Sequence, residues 1–230
     1  MKPALLLVAH GSRDPRAGVN VETIASRVRR LRPELTVVPC YLDHAGPRPA
    51  AVLSRLPGPV VVLPLLLAAA YHASVDVAAV VAAAPGRAVS AQVLGPAPEL
   101  LGIGQDLLRG AGVPGAAAVV LASAGTGRPE ANAATAEQAE ELAAVRGRPV
   151  LAAFATAAPP TVDEAIHQLH ARGLEVAVLR WLLSPGLFAD QIAASARTAG
   201  ARCTQVLGAH PQLAALVLAR YDEAAAQPWA

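Results

Sequence analysis

The 230-residue sequence contains few aromatic residues and few cysteines. Phe, Trp and Tyr make up only 3% of it, so Ala, Val and Leu carry an apolar content of 54%. This favours helices packed closely on a sheet over an aromatic-rich sandwich. Cys40 and Cys203 lie far apart and form no CxxC unit. We therefore expect a reduced cytoplasmic protein with two incidental thiols.

The chain also lacks strong charge and long apolar runs. Its formal net charge is only +2 and it has no run of five Lys or Arg residues, which argues against nucleic-acid binding. No apolar stretch reaches the ~20 residues of a membrane span without interruption. The N-terminal run MKPALLLVAHGS predicts a buried first strand, not a signal peptide.

Short apolar runs alternate with amphipathic helical patterns along the whole chain. This alternation predicts βαβ units and an α/β fold with parallel strands. The predicted strands are 4–9, 35–42, 59–67, 88–94, 117–122, 149–155, 175–182 and 203–207. The predicted helices are 16–31, 48–56, 74–84, 97–109, 130–145, 161–171, 188–199 and 211–225.

Four βα units are followed by four more, which indicates an internal duplication. A shift of 114 residues places Gly11 on Gly125, and strand 35–42 on 149–156. We predict two flavodoxin-like domains, 1–112 and 113–230, each with a four-stranded parallel sheet flanked by helices. Two such domains facing each other would form a cleft, a favoured place for a ligand.

Three predicted strands of the first half end in reactive side chains. His10 follows the first strand, Asp43 the second and His72 the third. Ligands of parallel α/β sheets bind at the carboxyl ends of the strands, so these residues should meet at one edge. Imidazole binds first-row divalent metals and accepts a proton near neutral pH. The positions opposite them in the second half are Ala124, Ala157 and Phe188.

Each of these residues also has a purely structural interpretation. His10 could be hydrogen-bonded in a turn, His72 could cap the helix that follows it, and Asp43 could cap a turn. His44 is interpreted as a solvated loop residue. The remaining pair on one helix face, His167 and His170, lacks an acidic or thiolate neighbour and is interpreted as surface.

At these residues the sequence resembles the class II chelatases, specifically the two-domain sirohydrochlorin chelatases. The matching segments are LLLVAHGSRDPRA at 5–17, VVPCYLDHAGPRP at 37–49 and VVVLPLLLAAAYHASVDV at 60–77. The resemblance implies insertion of Fe²⁺ or Co²⁺ into sirohydrochlorin, in siroheme or cobalamin biosynthesis. The metal would be a substrate, with no permanent cofactor.

The resemblance also implies roles for individual residues. His10 would be metal ligand and proton acceptor, His72 the second ligand, and Asp43 a third member of the metal site. The substrate-binding residues would be Ser12, Arg13, Ala69, Ala70 and Tyr71. Bidentate pairing with substrate carboxylates makes several arginines candidate anchors: Arg13, Arg16, Arg48, Arg128 and Arg180.

Two other functions fit parts of the sequence. Histidine phosphatases also begin with a strand ending in His-Gly, but an Arg normally precedes that histidine, and here the position is Ala9. A metal or tetrapyrrole delivery protein without turnover would use the same residues as a chelatase. In either chelatase or delivery role we expect a monomer of two pseudo-symmetric domains, with no nucleic-acid or membrane partner.

Overall fold

The structure is a computed structural model that describes residues 2–68 and 71–227, without the side chains of 71–75 and 209. Strands and helices alternate throughout it. The strands are β1 Ala4–Ala9, β2 Val37–Tyr41, β3 Val60–Pro64, β4 Ala88–Ser90, β5 Ala118–Ser123, β6 Val150–Phe154, β7 Val176–Arg180 and β8 Arg202–Cys203. The helices are α1 Pro15–Leu31, α2 Pro49–Leu53, α3 Tyr71–Ala82, α4 Pro98–Gly110, α5 Pro129–Arg146, α6 Val162–His170, α7 Leu187–Thr198 and α8 Pro211–Ala225.

The eight strands form two parallel four-stranded sheets with the same topology. Their strand orders are β2-β1-β3-β4 and β6-β5-β7-β8. The predicted α/β class and the predicted duplication are therefore confirmed. In both sheets the first strand of the repeat is central, so its carboxyl end lies between those of its two neighbours.

Burial explains why the central strands form where the sequence predicts them. All six residues of β1 are buried, as expected for a strand covered on both faces. Helix α1 then begins at Pro15, where the Asp14 side chain accepts a hydrogen bond from the Arg16 N–H. Its apolar stripe, including Val21 and Ile24, is buried.

Most differences from the prediction concern the ends of elements. Strand β8 has only two residues, and Leu207 lies in a 3-10 turn, Leu207–Ala209, and not in a strand. Helix α3 begins at Tyr71, three residues earlier than predicted. His72 therefore belongs to the first turn of α3 and does not precede the helix.

The chain forms two compact units that exchange the last helix of each repeat. One unit comprises 1–95 and 208–230, and the other comprises 96–207. Helix α4 packs with β7 in the second unit, and α8 packs with α1 and β3 in the first. The compact units therefore differ from the predicted domains 1–112 and 113–230, because apolar faces of α4 and α8 are covered by the other repeat's sheet.

In the part of the chain that the structure describes, no helix combines the length and apolar character of a membrane span. The predicted cleft between the domains and the predicted monomer stay predictions.

Candidate functional site

His10 directly follows β1 at the carboxyl edge of the first sheet and is exposed. Its carbonyl accepts a hydrogen bond from the Asp43 N–H at 2.8 Å, which joins the ends of β1 and β2. Gly11 makes this approach sterically feasible, since a Cβ there would lie 1.8 Å from the Asp43 carbonyl oxygen. Its φ of +96° also favours glycine. The predicted neighbours His10 and Asp43 are thus brought together.

The Asp43 carboxylate is exposed and is held by its own loop. Its Oδ1 accepts a hydrogen bond from the His44 N–H at 2.8 Å and lies 3.4 Å from an Arg48 guanidinium nitrogen. The His44 N–H bond, with help from Arg48, holds the pKa of Asp43 below its ordinary value. Asp43 is therefore an ionised carboxylate at neutral pH, suited to attract a divalent cation.

His44, interpreted from sequence as a solvated loop residue, contacts both of these groups. Its ring centroid lies 6.3 Å from that of His10, with the two rings nearly perpendicular. Its Nε2 lies 3.4 Å from Oδ2 of Asp43. No periodicity or motif in the sequence marks His44, because its position depends on a left-handed backbone conformation with φ of 57°.

A cavity of about 450 Å³ opens beside His10 and Asp43. One wall comes from α2 and the loop before it, and the other comes from α3. The cavity is lined by His10, Leu42, Asp43, Arg48, Pro49, Ala50, Leu53, Asp76, Ala79, Val80 and Ala83. Its volume is at the lower end of ligand pockets, and it has room for a hydrated ion.

Asp76 brings a second exposed carboxylate to this cavity, and it is not among the site residues that the sequence predicts. The available signal was its spacing, because Asp76 follows His72 by four residues and both belong to α3. Residues at i and i+4 share a helix face. The cavity thus carries two carboxylates, Asp43 and Asp76, next to one imidazole.

The loop that follows His10 is fixed by short-range polar contacts. Ser12 Oγ accepts a hydrogen bond from the Asp14 N–H at 3.0 Å, and Asp14 pairs with Arg16 at 2.6 Å. Ser12 and Arg16 are thus partly engaged in holding the start of α1. Arg13 is exposed and makes no hydrogen bond or ion pair with any residue in the described ranges 2–68 and 71–227.

The other candidate anchors are already engaged with protein groups. Arg48 donates to the Leu42 carbonyl as well as to Asp43. Arg180, at the end of β7, donates through Nε to the Thr204 carbonyl at 2.5 Å. Arg128 also has a protein partner. Of the five candidate arginines, Arg13 is therefore the one whose guanidinium makes no hydrogen bond or ion pair within the described part of the chain.

The remaining predicted site residues lie at the end of the third βα unit. Ala69 and Ala70 lie outside the described residues. Tyr71 and His72 form the start of α3, where the structure describes the backbone but not these two side chains. Their predicted contacts with macrocycle and metal stay predictions. Among side chains that the structure does describe, no three His, Cys, Asp or Glu form a ready metal-binding group.

The second repeat reproduces the backbone of the site. The Thr156 N–H donates to the Ala124 carbonyl at 3.0 Å, as the Asp43 N–H does to that of His10. A Cβ on Gly125 would lie 2.0 Å from the Thr156 carbonyl oxygen, which matches the crowding at Gly11. We call this arrangement, in which the residues after the first and second strands of a repeat meet through a backbone hydrogen bond, the backbone corner. It is present in both repeats and is therefore a property of the fold.

The reactive side chains of that corner are present in the first copy alone. Ala124 replaces His10 and Thr156 replaces Asp43, so the sequence pairing of Asp43 with Ala157 was wrong by one residue. The error arises because β2 and β6 align with a shift of 113, not 114. Ala157 instead corresponds to His44 and has a similar φ of 62°.

The first residues of helices α3 and α7 also differ between the two repeats. Each begins after the third strand of its repeat, and Phe188 is the second residue of α7 as His72 is of α3. Leu187 and Phe188 are 68% and 39% exposed. The carboxyl edge of the second sheet is therefore apolar where the first carries histidine.

A family model for CbiX matches residues 4–111 and again residues 118–224. The chain belongs to the CbiX family. The two matches cover both repeats and leave out only 112–117 and the two ends, which agrees with the duplication seen in the two sheets. The match confirms the family recognised from the sequence and its organisation in two repeats.

Solved structures of CbiX and SirB proteins share the fold over nearly the whole chain. SirB from Bacillus subtilis with Fe3+ has a TM-score of 0.80 and 24% identity, covering 98% of this chain and 96% of that one. The sirohydrochlorin chelatase SirB from Bacillus subtilis subspecies spizizenii, in complex with cobalt, gives 0.81 and 21%, with coverages of 99% and 97%.

A third structure carries the family's own name. CbiX, the terminal enzyme for biosynthesis of siroheme in denitrifying bacteria, has a TM-score of 0.75 and 22% identity, covering 96% of this chain and 99% of that one. At these identities the likeness establishes the fold. A comparison with curated proteins gave no significant match.

Proposed function

We propose that this CbiX-family protein inserts a divalent metal, Fe²⁺ or Co²⁺, into sirohydrochlorin. The observation that carries the proposal is the contrast between two copies of one backbone corner. The copy in the first repeat bears His10 and Asp43, and the copy in the second bears Ala124 and Thr156. A purely structural role would leave no reason for both polar groups to occur in the same copy.

The residues at this corner suit the chemistry of metal insertion. The reaction must remove two pyrrole N–H protons and deliver a dication to the ring centre. His10 can bind the ion through one ring nitrogen, and an imidazole can also act as a proton acceptor. Asp43 and Asp76 place negative charge beside it and so favour arrival of the dication.

Release of the metal requires a site that does not fill all coordination positions of the ion with protein ligands. Structural metal sites use four protein ligands, whereas sites that must exchange a ligand keep open positions. His10 with His72 and Asp43 would provide three ligands and leave room for ring nitrogens. In this proposal the metal is a substrate, held loosely enough to pass to the macrocycle.

The anionic substrate calls for cationic anchors near the site. Sirohydrochlorin carries several carboxylates, and an arginine guanidinium can pair with a carboxylate through two hydrogen bonds. Arg13 is exposed and follows His10 by three residues. We propose Arg13 as an anchor, with Ser12, Ala69, Ala70 and Tyr71 as further contacts to the macrocycle.

Anaerobic insertion assays test the proposal directly. Protein, Fe²⁺ or Co²⁺ and sirohydrochlorin are mixed, and the absorbance change is followed against a protein-free control. We expect His10→Ala and His72→Ala each to lower kcat/KM by about 100-fold, since each removes a group that acts on the metal. His167→Ala, at an exposed position on α6, is the control and should leave the rate unchanged.

Two outcomes would contradict the proposal. A wild-type rate equal to the protein-free control, together with tight binding of both substrates, would indicate a delivery protein without turnover. Full activity in both histidine variants would contradict the site assignment. Parallel assays with Fe²⁺, Co²⁺ and Ni²⁺ identify the preferred metal, because imidazole binds all three and ligand type does not select among them.

We also propose a cytoplasmic location. Cys40 and Cys203 are both unpaired, as is usual in a reducing compartment.

A further inference from the structure

The loop between β2 and α2 presents a second imidazole to His10. His44 lies in this loop with φ of 57°, in the left-handed region. The same backbone conformation occurs at Ala157 of the second repeat, with φ of 62°. Both repeats therefore share this backbone conformation, but only the first repeat has a histidine at the position.

The distance between the two rings is close to that of two imidazoles on one metal ion. With metal–nitrogen bonds of about 2.1 Å, the ring centroids of two such ligands lie roughly 5–6 Å apart. The centroids of His10 and His44 lie 6.3 Å apart, and the rings are 81° from coplanar. A small side-chain rotation brings both rings into range of a shared ion.

The Asp43 carboxylate lies beside the His44 ring, on the side where a carboxylate commonly orients a metal-ligating histidine. Such histidines usually donate one ring N–H to a carboxylate or carbonyl, which fixes the ring and leaves the other nitrogen for the metal. Here the Asp43 Oδ2 lies 3.4 Å from Nε2 of His44, and Oδ1 accepts the His44 backbone N–H. This arrangement leaves Nδ1 of His44 to bind an ion.

We propose that His44 is an additional ligand for the substrate metal and holds the hydrated ion together with His10 before its transfer. One ring nitrogen of each histidine replaces a water molecule of the ion, and no proton or electron moves. The inference rests on the proposed function. It adds a position at which the metal ion binds before it is transferred to the macrocycle. Asp43 acts in this step by orienting His44.

Binding of Co²⁺ alone, without a tetrapyrrole, tests the inference on the full chain. Affinity is measured by calorimetry, and the number of coordinated imidazoles by X-ray absorption. We expect His44→Ala to weaken Co²⁺ binding at least tenfold and to remove one imidazole from the coordination shell. Ala157 shows that alanine is accommodated at this backbone position, so the variant should keep the wild-type melting temperature.

His167→Ala is the matched control, because it removes an exposed imidazole from another part of the chain and should leave Co²⁺ affinity unchanged. His44→Gly is the second variant, free of any strain from a side chain at positive φ, and should reproduce the loss. Wild-type affinity and an unchanged imidazole count in both His44 variants would overturn the inference.

These experiments can contradict either of the two proposals without contradicting the other. If His10→Ala loses Co²⁺ binding while His44→Ala retains it, the chelatase site stands and the role of His44 is wrong. If both variants lose Co²⁺ binding but the wild type inserts no metal, the role of His44 stands and the chelatase proposal is wrong.

Discussion

At the scale of single residues, the site depends on backbone contacts that only glycine permits. The Gly11 Cα faces the Asp43 carbonyl so closely that a Cβ would come within 1.8 Å of its oxygen. Gly125 faces the Thr156 carbonyl in the same way, at 2.0 Å. The two glycines hold identical corners, and one of those corners carries the proposed metal ligands.

This duplication allows a paired test of Gly11→Ala and Gly125→Ala. Each adds a methyl group against backbone at positive φ, so each should lower the free energy of unfolding by about 2 kcal/mol or more. Denaturant unfolding measures this loss. Among variants that remain folded, Co²⁺ binding should weaken in Gly11→Ala and persist in Gly125→Ala, because the second corner has no ligands.

Gly127→Ala is the control, since a Cβ there meets nothing within 4 Å. If folded Gly125→Ala loses Co²⁺ binding as fully as Gly11→Ala does, the metal site does not belong to the first repeat.

At the scale of elements, the sequence predicts every strand and α-helix of the described residues, but not all of their ends and not the 3-10 turn Leu207–Ala209. Apolar runs such as β1 are buried on both faces, so hydropathy alone locates them. The start of α3 was placed too late because Tyr71, His72 and Ala73 show no capping residue or periodicity of their own. The sequence does not single out His44 for a related reason, since its position follows from a loop backbone conformation that local sequence does not encode.

The N-terminus of α6 offers a direct test of local sequence signals. Thr161 Oγ1 accepts the Glu164 N–H, and the Glu164 carboxylate accepts the Thr161 N–H at 2.8 Å. The bond from the Thr161 N–H, with a further contribution from the Thr161 hydroxyl, holds the pKa of Glu164 below its ordinary value. Thr161→Ala should lower the free energy of unfolding by about 1 kcal/mol, measured with urea. Thr198→Ala, at the exposed last residue of α7, should cost much less.

Helix α8 is attached to α1 by an ion pair whose contribution depends on pH. Arg32 donates to both carboxylate oxygens of Asp222, at 2.5 and 2.8 Å. The hydrogen bond from Arg32 lowers the pKa of Asp222 below its ordinary 3.8. Stability gained from the pair is therefore fully present above that ordinary value and is lost as pH falls through the lowered pKa.

Asp222→Asn should accordingly destabilise the protein by roughly 0.5–1 kcal/mol near pH 7, and by less near pH 2.5. Urea unfolding at the two pH values measures the difference. Glu34→Gln breaks the pair with Lys2, whose cation is more exposed than Arg32, and should have a smaller effect. An Asp222→Asn deficit that is the same at both pH values would contradict an electrostatic origin.

At the scale of the whole molecule, the sequence repeat and the compact unit are different segments of chain. The family matches end at 111, just after α4, and at 224, in the last turn of α8, whereas the compact units change at 95/96 and 207/208. Periodicity identifies α4 as the last helix of the first repeat. It cannot tell which sheet covers the apolar face of that helix, because both sheets have similar composition and the same topology.

Burial within the second unit shows how much it depends on α4. Leu100, Ile103 and Leu108 are 0–1% exposed, and Gly104 lies close enough to Leu179 for a Cβ to meet that side chain at 3.1 Å. Burying three such side chains contributes about 5 kcal/mol or more. A domain of this size has a net stability of similar magnitude, so loss of α4 should largely unfold the unit.

Two fragments test this dependence and differ by residues 96–112, which comprise α4 and two flanking residues on each side. Fragment 96–207 corresponds to the compact unit, and fragment 113–207 lacks the helix. Trp181 is the single tryptophan in both and is buried at 3% exposure beside Gly104, so its fluorescence reports whether α4 is docked. We expect 96–207 to show blue-shifted emission and cooperative urea unfolding, and 113–207 to show red-shifted emission with no cooperative transition. Equal urea midpoints for the two fragments would mean that α4 does not stabilise the second unit.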